Sequence, residues 1–160
     1  MRFVGYTLPV NPPDASVRLT KEQLYESLKI KARDPIGYVP LIATCKVLEE
    51  YPTGLLREAT FNNEPDAAHE RVEFFPIGNV IFNRVDPKTG DKLAVITNTI
   101  SETPEGELML TFTFTIGPNG PFETSGDAEQ EEKTRAKIAV GAISRTLEVT
   151  RQLVQEKKIQ

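Results

Sequence analysis

The sequence predicts an α+β fold in which a curved sheet of seven antiparallel strands wraps round one long C-terminal helix. From Ala43 to Ile116 the apolar residues recur with the period of two that is typical of strands. Short turns separate these segments, and short turns join antiparallel neighbours. From Ser125 or Asp127 onwards the period changes to 3.6 over about 30 residues, which is enough helix to cross a small domain.

The first strand is predicted at Phe3–Val10, because the prolines of Asn11–Asp14 lack the backbone donors that continued pairing needs. Thr20 and Gln23 then have the spacing of a capping box, which indicates the start of a helix. Apolar residues follow at helical spacing: Leu24, Leu28 and Ala32. This first helix should end at Asp34 and Pro35.

Asp34 and Pro35 also fit the N-terminus of a second short helix, which Pro40 would limit to about two turns. Six strands are predicted after it: Thr44–Glu50, Leu55–Phe61, Glu70–Phe75, Val80–Asp86, Leu93–Ser101 and Leu108–Ile116. We expect the first strand to pair beside the last one. The order of elements is therefore β-α-α-β6-α.

The C-terminal helix carries two adjoining apolar rows, so a broad face of it must be covered. The rows are Ala136, Val140, Ile143, Leu147 and Val154, and Ala139, Ala142, Val149 and Leu153. A sheet that curves round one helix leaves space between them. We therefore expect a cavity there, bounded by the two short helices.

Composition indicates one soluble globular domain spanning residues 1–160, since 39% of the residues are apolar and 26% are charged. The net charge is −4 and the pI is near 5.2, which argues against a nucleic-acid partner. No apolar run approaches a membrane span, and the N-terminus does not resemble a signal peptide. With a single cysteine, Cys45, no intrachain disulfide is possible. We expect a cytoplasmic protein.

Four polar residues lie in phase with the apolar side of their strands: Arg57, Glu70, Arg84 and Asn98. If those sides face inward, the four side chains point into the cavity, and Glu70 between two arginines would satisfy the need to pair buried charge. An arginine would then anchor a carboxylate or phenolate, and Glu70 or Tyr38 would transfer a proton. The alternative is that bulges or strand ends leave them solvated, and the turn beside Arg84 favours this for that residue.

Large apolar side chains are expected either to line the cavity or to fill the core. They are Phe74, Phe82, Phe112, Phe114 and Ile143. Tyr38 and Pro40 are candidate gate residues at the cavity mouth, although Tyr38 also fits a simple packing role.

Metal and cofactor chemistry has little support in the sequence. Cys45 and His69 are the only residues of their kinds, so a zinc site would need carboxylates for its other ligands. A Cys–His nucleophilic pair is conceivable, but a packed thiol and a surface imidazole are the simpler interpretation. Without a glycine-rich phosphate loop, no cofactor is expected.

Several stretches between residues 6 and 114 resemble the AtaL-like branch of the SRPBCC superfamily. They are Tyr6–Pro13, Leu19–Leu24, Lys31–Pro35, Val47–Tyr51, Gly54–Glu58, Glu70–Val72, Ile96–Asn98 and Leu110–Phe114. The resemblance implies the helix-grip fold that birch-pollen-type allergens and START lipid-transfer domains share. Some members of the branch are encoded beside fungal secondary-metabolite pathways, and the branch has no established catalytic motif.

Three functions remain open. The first is binding of a small, mainly hydrophobic molecule with one polar end, within a secondary-metabolite pathway. The second, implied by related helix-grip domains, is a cofactor-free cyclase, isomerase or dehydratase of polyketide-like or aromatic substrates. The third is a structural or interaction module. The ligand, any turnover and the oligomeric state do not follow from the sequence.

Overall fold

A computed structural model describes residues 1–123 and 126–160. It contains seven strands and two helices in these residues, and their order is β1 to α2 along the chain. They are β1 (Arg2–Pro9), α1 (Lys21–Arg33), β2 (Ile42–Tyr51), β3 (Gly54–Phe61), β4 (Ala68–Phe75), β5 (Asn79–Val85), β6 (Lys92–Glu102), β7 (Leu108–Ile116) and α2 (Gly126–Gln155).

The strands form one antiparallel sheet in the order β1-β7-β6-β5-β4-β3-β2. The predicted pairing of the first strand with the last is confirmed, with Val4 opposite Phe114 and Leu8 opposite Leu110. Strand ends differ from the predicted ones by a residue or two, as in β4, which begins at Ala68 rather than Glu70. The predicted fold class is therefore confirmed.

Helix α1 begins as the sequence predicts. The Thr20 hydroxyl accepts a hydrogen bond from the Gln23 amide at 3.2 Å, and the Gln23 side chain accepts one from the Thr20 amide at 3.0 Å. The two bonds close the predicted capping box and satisfy amides that have no partner within the helix.

The predicted second short helix is wrong, because Asp34–Pro40 forms turns instead. The amides of Tyr38 and Val39 both donate to the Pro35 carbonyl, which closes a single turn. Gly37 then adopts a φ of 89°, in the left-handed region, and the chain leaves the helical path. The segment runs directly into β2.

Helix α2 packs against β1, β7 and α1. Its apolar face is buried as predicted: Ala139, Ile143 and Leu147 join the core. Of the two predicted starts, Ser125 lies outside the described residues, and the helix is described from Gly126. It ends at Gln155 rather than at the C-terminus, since Lys157 has a φ of 56°. Within the described chain, neither helix combines the length and apolarity needed to cross a bilayer.

Candidate functional site

A cavity of about 200 Å³ lies between the sheet, the end of α1, the 34–41 turn and the middle of α2. Most of its wall is apolar, and a polar cluster occupies one part of it. The wall residues are Lys31, Val39, Leu41, Ile42, Arg57, Phe61, Asn63, Glu64, Glu70, Phe82, Arg84, Ile96, Asn98, Phe112, Phe114 and Ala142.

The polar cluster is built on three neighbouring strands. Arg57 pairs directly across from Glu70, and Glu70 directly across from Arg84, so the three side chains project from the same face of the sheet. Glu70 Oε2 accepts from Arg57 Nε at 2.8 Å, and Glu70 Oε1 accepts from Arg84 Nε at 3.0 Å. The predicted inward orientation and the predicted pairing are both present.

Arg57 is fully engaged by protein groups. Besides its two bonds to Glu70, its Nη1 donates to the carbonyls of Lys31 and Ala32, at 3.2 and 2.8 Å. These carbonyls belong to the last turn of α1, where acceptors have no partner within the helix. Its guanidinium also lies 5.0 Å from the centre of the Phe82 ring. Arg57 therefore joins the end of α1 to the sheet.

Arg84 is the more accessible arginine, with 19% of its side chain exposed against 4% for Arg57. Its guanidinium stacks 4.0 Å from the centre of the Phe61 ring. Arg84 also lines a second cavity, of about 590 Å³, between the sheet and the first half of α2. Leu41, Glu64 and Phe114 border both cavities as well, so Arg84 stands at their junction.

Lys31 is a member of the cluster that the sequence analysis missed. It is 5% exposed, and its Nζ donates to Asn98 Oδ1 at 2.9 Å. The ammonium position lies 4.0 Å from the centre of the Phe112 ring. A signal was present in the sequence, because Lys31 follows Leu28 by three residues and so shares the buried face of α1.

Charge in the cluster is unbalanced. Burial raises the pKa of Glu70, but the guanidiniums of Arg57 and Arg84 and their hydrogen bonds lower it further, so the pKa lies below its ordinary value and the carboxylate is ionised. One carboxylate thus faces two arginines. The other carboxylate in the described wall is Glu64, which is exposed at the mouth. The cluster carries an excess positive charge even before Lys31 is counted.

Seven of the predicted site residues line the cavity: Arg57, Glu70, Arg84, Asn98, Phe82, Phe112 and Phe114. Three others lie elsewhere. Tyr38 is buried with its hydroxyl 3.1 Å from Ser27 Oγ, Phe74 packs beneath Arg33, and Ile143 is in the core. The turn residues that reach the wall are Val39 and Leu41 rather than Tyr38 and Pro40.

Cys45 and His69 point to opposite faces of the sheet. Cys45 is opposite Ala59, which is opposite Ala68, so the thiol shares their inner face. His69 follows Ala68, and its Nε2 lies 3.3 Å from Glu58 Oε2 on the outer face. Burial also raises the pKa of the Cys45 thiol, which disfavours the nucleophilic thiolate. A Cys–His pair is therefore excluded.

A curved antiparallel sheet closed over an interior cavity by a long C-terminal helix defines a helix-grip protein. The chain belongs to the AtaL family, described as "Acetylaranotin biosynthesis cluster protein L", whose match extends over residues 4–157. The predicted AtaL-like resemblance is thereby confirmed. No curated protein matches the sequence.

Solved structures share the fold at low sequence identity. The Zhui aromatase/cyclase from Streptomyces sp. R1128 is 15% identical with a TM-score of 0.59, covering 96% of this chain and 95% of that one. Ara h 8.0201 is 8% identical with a TM-score of 0.56, over 94% and 98%. The di-domain ARO/CYC StfQ from the steffimycin biosynthetic pathway is 16% identical with a TM-score of 0.63, over 96% of this chain and 52% of StfQ.

Proposed function

We propose that the protein binds a small, mainly hydrophobic molecule with one acidic end in the cavity between the sheet and α2, as a component of a secondary-metabolite pathway. The description of its family as a biosynthesis cluster protein supports the setting. The structural likeness to two proteins titled aromatase/cyclase supports a ligand of the same general kind.

The observation that carries this proposal is the excess positive charge on the cavity wall. Arg57 and Arg84 share the single buried carboxylate of Glu70. A buried charge without a partner is costly, so an anionic group that enters the cavity is stabilised there. The remaining wall offers apolar and aromatic surface for the rest of the molecule, chiefly Phe82, Phe112 and Phe114.

Arg84 is the better anchor of the two arginines. The hydrogen bonds of Arg57 go to Glu70 and to the end of α1, whereas those of Arg84 go to Glu70 alone. Arg84 also borders both cavities, so a ligand held there has apolar walls on two sides. A carboxylate or phenolate at Arg84 would complete the ion pairing without disturbing the connection between α1 and the sheet.

The test is a calorimetric titration with 2-naphthoic acid and with its methyl ester. A charge-assisted hydrogen bond contributes about 1.5–3 kcal/mol, so the acid should bind about ten- to a hundredfold more tightly. Arg84→Leu should remove this preference and leave the affinity for the ester nearly unchanged. Arg71→Leu is the matched control, because Arg71 is on the outer face of β4 beside Tyr51. Equal affinities of wild type for acid and ester would refute the acidic-end assignment.

A second candidate function is cofactor-free turnover, as a cyclase, isomerase or dehydratase of polyketide-like or aromatic substrates. The specific observation in its favour is Lys31, a buried amine on the cavity wall beside the Arg57–Glu70 pair. A neutral amine in a site shielded from water is a base and a nucleophile. Consumption of a poly-β-keto test substrate by wild type, lost in Lys31→Met, would establish this function in place of simple binding.

A further inference from the structure

Lys31 lies where a bound molecule would meet it. It occupies the last turn of α1 on the buried side of the helix, and it lines the smaller cavity. Asn98 Oδ1 accepts one hydrogen from Nζ at 2.9 Å, and the Phe112 ring lies beneath it at 4.0 Å. These two contacts fix the end of a side chain that is otherwise among the most flexible in proteins.

We propose that Lys31 is a nucleophile that forms an imine with the carbonyl of a hydrophobic aldehyde or ketone bound in this cavity. The proposal rests on the proposed function, since the carbonyl compound must first enter the cavity. It adds a chemical class of ligand, the carbonyl compounds, and a covalent step.

The surroundings of Lys31 favour the neutral amine that this step requires. Its pKa is lowered to about 7, chiefly by burial and further by the positive charge of Arg57 on β3, while Glu70 on β4 acts in the opposite direction. Arg84 on β5 lies behind Glu70 and neutralises part of that carboxylate's influence. The neighbours from β6 and β7, Asn98 and Phe112, are uncharged. Desolvation beside a second cation is a known way to activate a lysine.

The step needs no other reactant. The lone pair of Nζ attacks the carbonyl carbon, and the π electrons of the C=O bond move to its oxygen. A proton passes from nitrogen to that oxygen, which gives a carbinolamine. The nitrogen lone pair then forms the C=N bond as the C–O bond breaks, and a protonated oxygen leaves as one water molecule. An iminium formed in this way acidifies the adjacent carbon, which is the activation that aldol-type ring closure requires.

The experiment traps the imine by reduction. Wild type is incubated with 2-naphthaldehyde and sodium cyanoborohydride at pH 7.5, and the modified residue is located by peptide mass analysis. Exposed Lys88, paired with Asp66, serves as an internal control in the same sample. Because a pKa near 7 leaves far more neutral amine than an ordinary lysine has, Lys31 should react at least about tenfold faster than Lys88. Its rate should rise with a midpoint near pH 7.

Lys31→Met should lose this adduct, and Lys31→Arg should lose it while keeping a cation at the site. Since the adduct is mapped on wild type, the result does not depend on either variant folding. Labelling confined to Met1 and exposed lysines, or a Lys31 rate that rises only above pH 9, would overturn the proposal. Binding of 2-naphthalenemethanol, the matched alcohol, separates the two failures. If the alcohol binds and Lys31 is not labelled, the imine is refuted and ligand binding stands. If neither occurs, both fail.

Discussion

Replacing Glu70 by Gln should destabilise the protein strongly, although the two side chains have nearly the same shape. The substitution leaves the Arg57 guanidinium, whose side chain is 4% exposed, without its counterion. Removing one partner of a buried ion pair costs about 3–5 kcal/mol, because the other charge remains buried and unpaired. Domains of this size are stable by about 5–15 kcal/mol, so much of the total is at stake. The melting temperature should fall by about 6–20 °C.

Urea unfolding of both proteins gives the difference in the free energy of unfolding, provided that the m-value is unchanged. Glu73→Gln is the matched control, since Glu73 is on the outer face of the same strand and accepts from Asn83 Nδ2 at 3.1 Å. It should change stability by less than about 0.5 kcal/mol. A Glu70→Gln effect as small as that of the control would show that the cluster is solvated, and the charge argument for an acidic ligand would fail with it.

The same pair of proteins has an expected pH dependence. The pKa of Glu70 is lowered in the folded protein, so its contribution is complete above the unfolded pKa of about 4.3 and is lost as the pH falls towards the folded value. The stability gap between wild type and Glu70→Gln should therefore narrow below about pH 4. Unfolding measurements from pH 7 to pH 3 would show this, and a gap that widens towards acid would contradict the lowered pKa.

Three further results are expected. Ile143→Ala should lower the free energy of unfolding by about 2–5 kcal/mol, because Ile143 is fully buried in the core; chemical denaturation measures it, and no change would mean that the sheet does not grip α2. Tyr38→Phe should cost about 1 kcal/mol by breaking its bond to Ser27 while leaving ligand affinity unchanged, and a large loss of affinity would restore Tyr38 as a gate. For Lys31→Met, any gain in stability at pH 6 should shrink from pH 7 to 10, since only the unfolded wild type then keeps the proton; a constant difference would contradict the lowered pKa.

The fold was largely predictable because its elements carry local signals. Strand periodicity located all seven strands, and the capping box at Thr20 located α1. The inward set of Arg57, Glu70 and Arg84 followed from the alternation of side chains along a strand, which holds where the register is unbroken. The second short helix was wrong because Asp34 and Pro35 signal a helix start, whereas Gly37 decides the backbone path afterwards.

Positions that depend on packing between distant segments were harder to predict. Lys31 lies 67 residues from Asn98 along the chain, and only the approach of α1 to β6 brings them together. The same is true of Arg57 and the carbonyls at the end of α1. Periodicity gives the face on which a residue lies but not which inward residue reaches a cavity, so Ile143 and Phe74 could not be separated from Phe112 and Phe114.

A crystal structure of the protein with bound 2-naphthoate tests the central claim most directly. The charge excess at the Arg57–Glu70–Arg84 cluster predicts the carboxylate within hydrogen-bond distance of the Arg84 guanidinium, and the aromatic wall predicts the rings between Phe82 and Phe114. Arg57 should keep its bonds to Glu70 and to the end of α1. Naphthoate bound outside the cavity, or bound inside it with the carboxylate turned away from Arg84, would contradict the account.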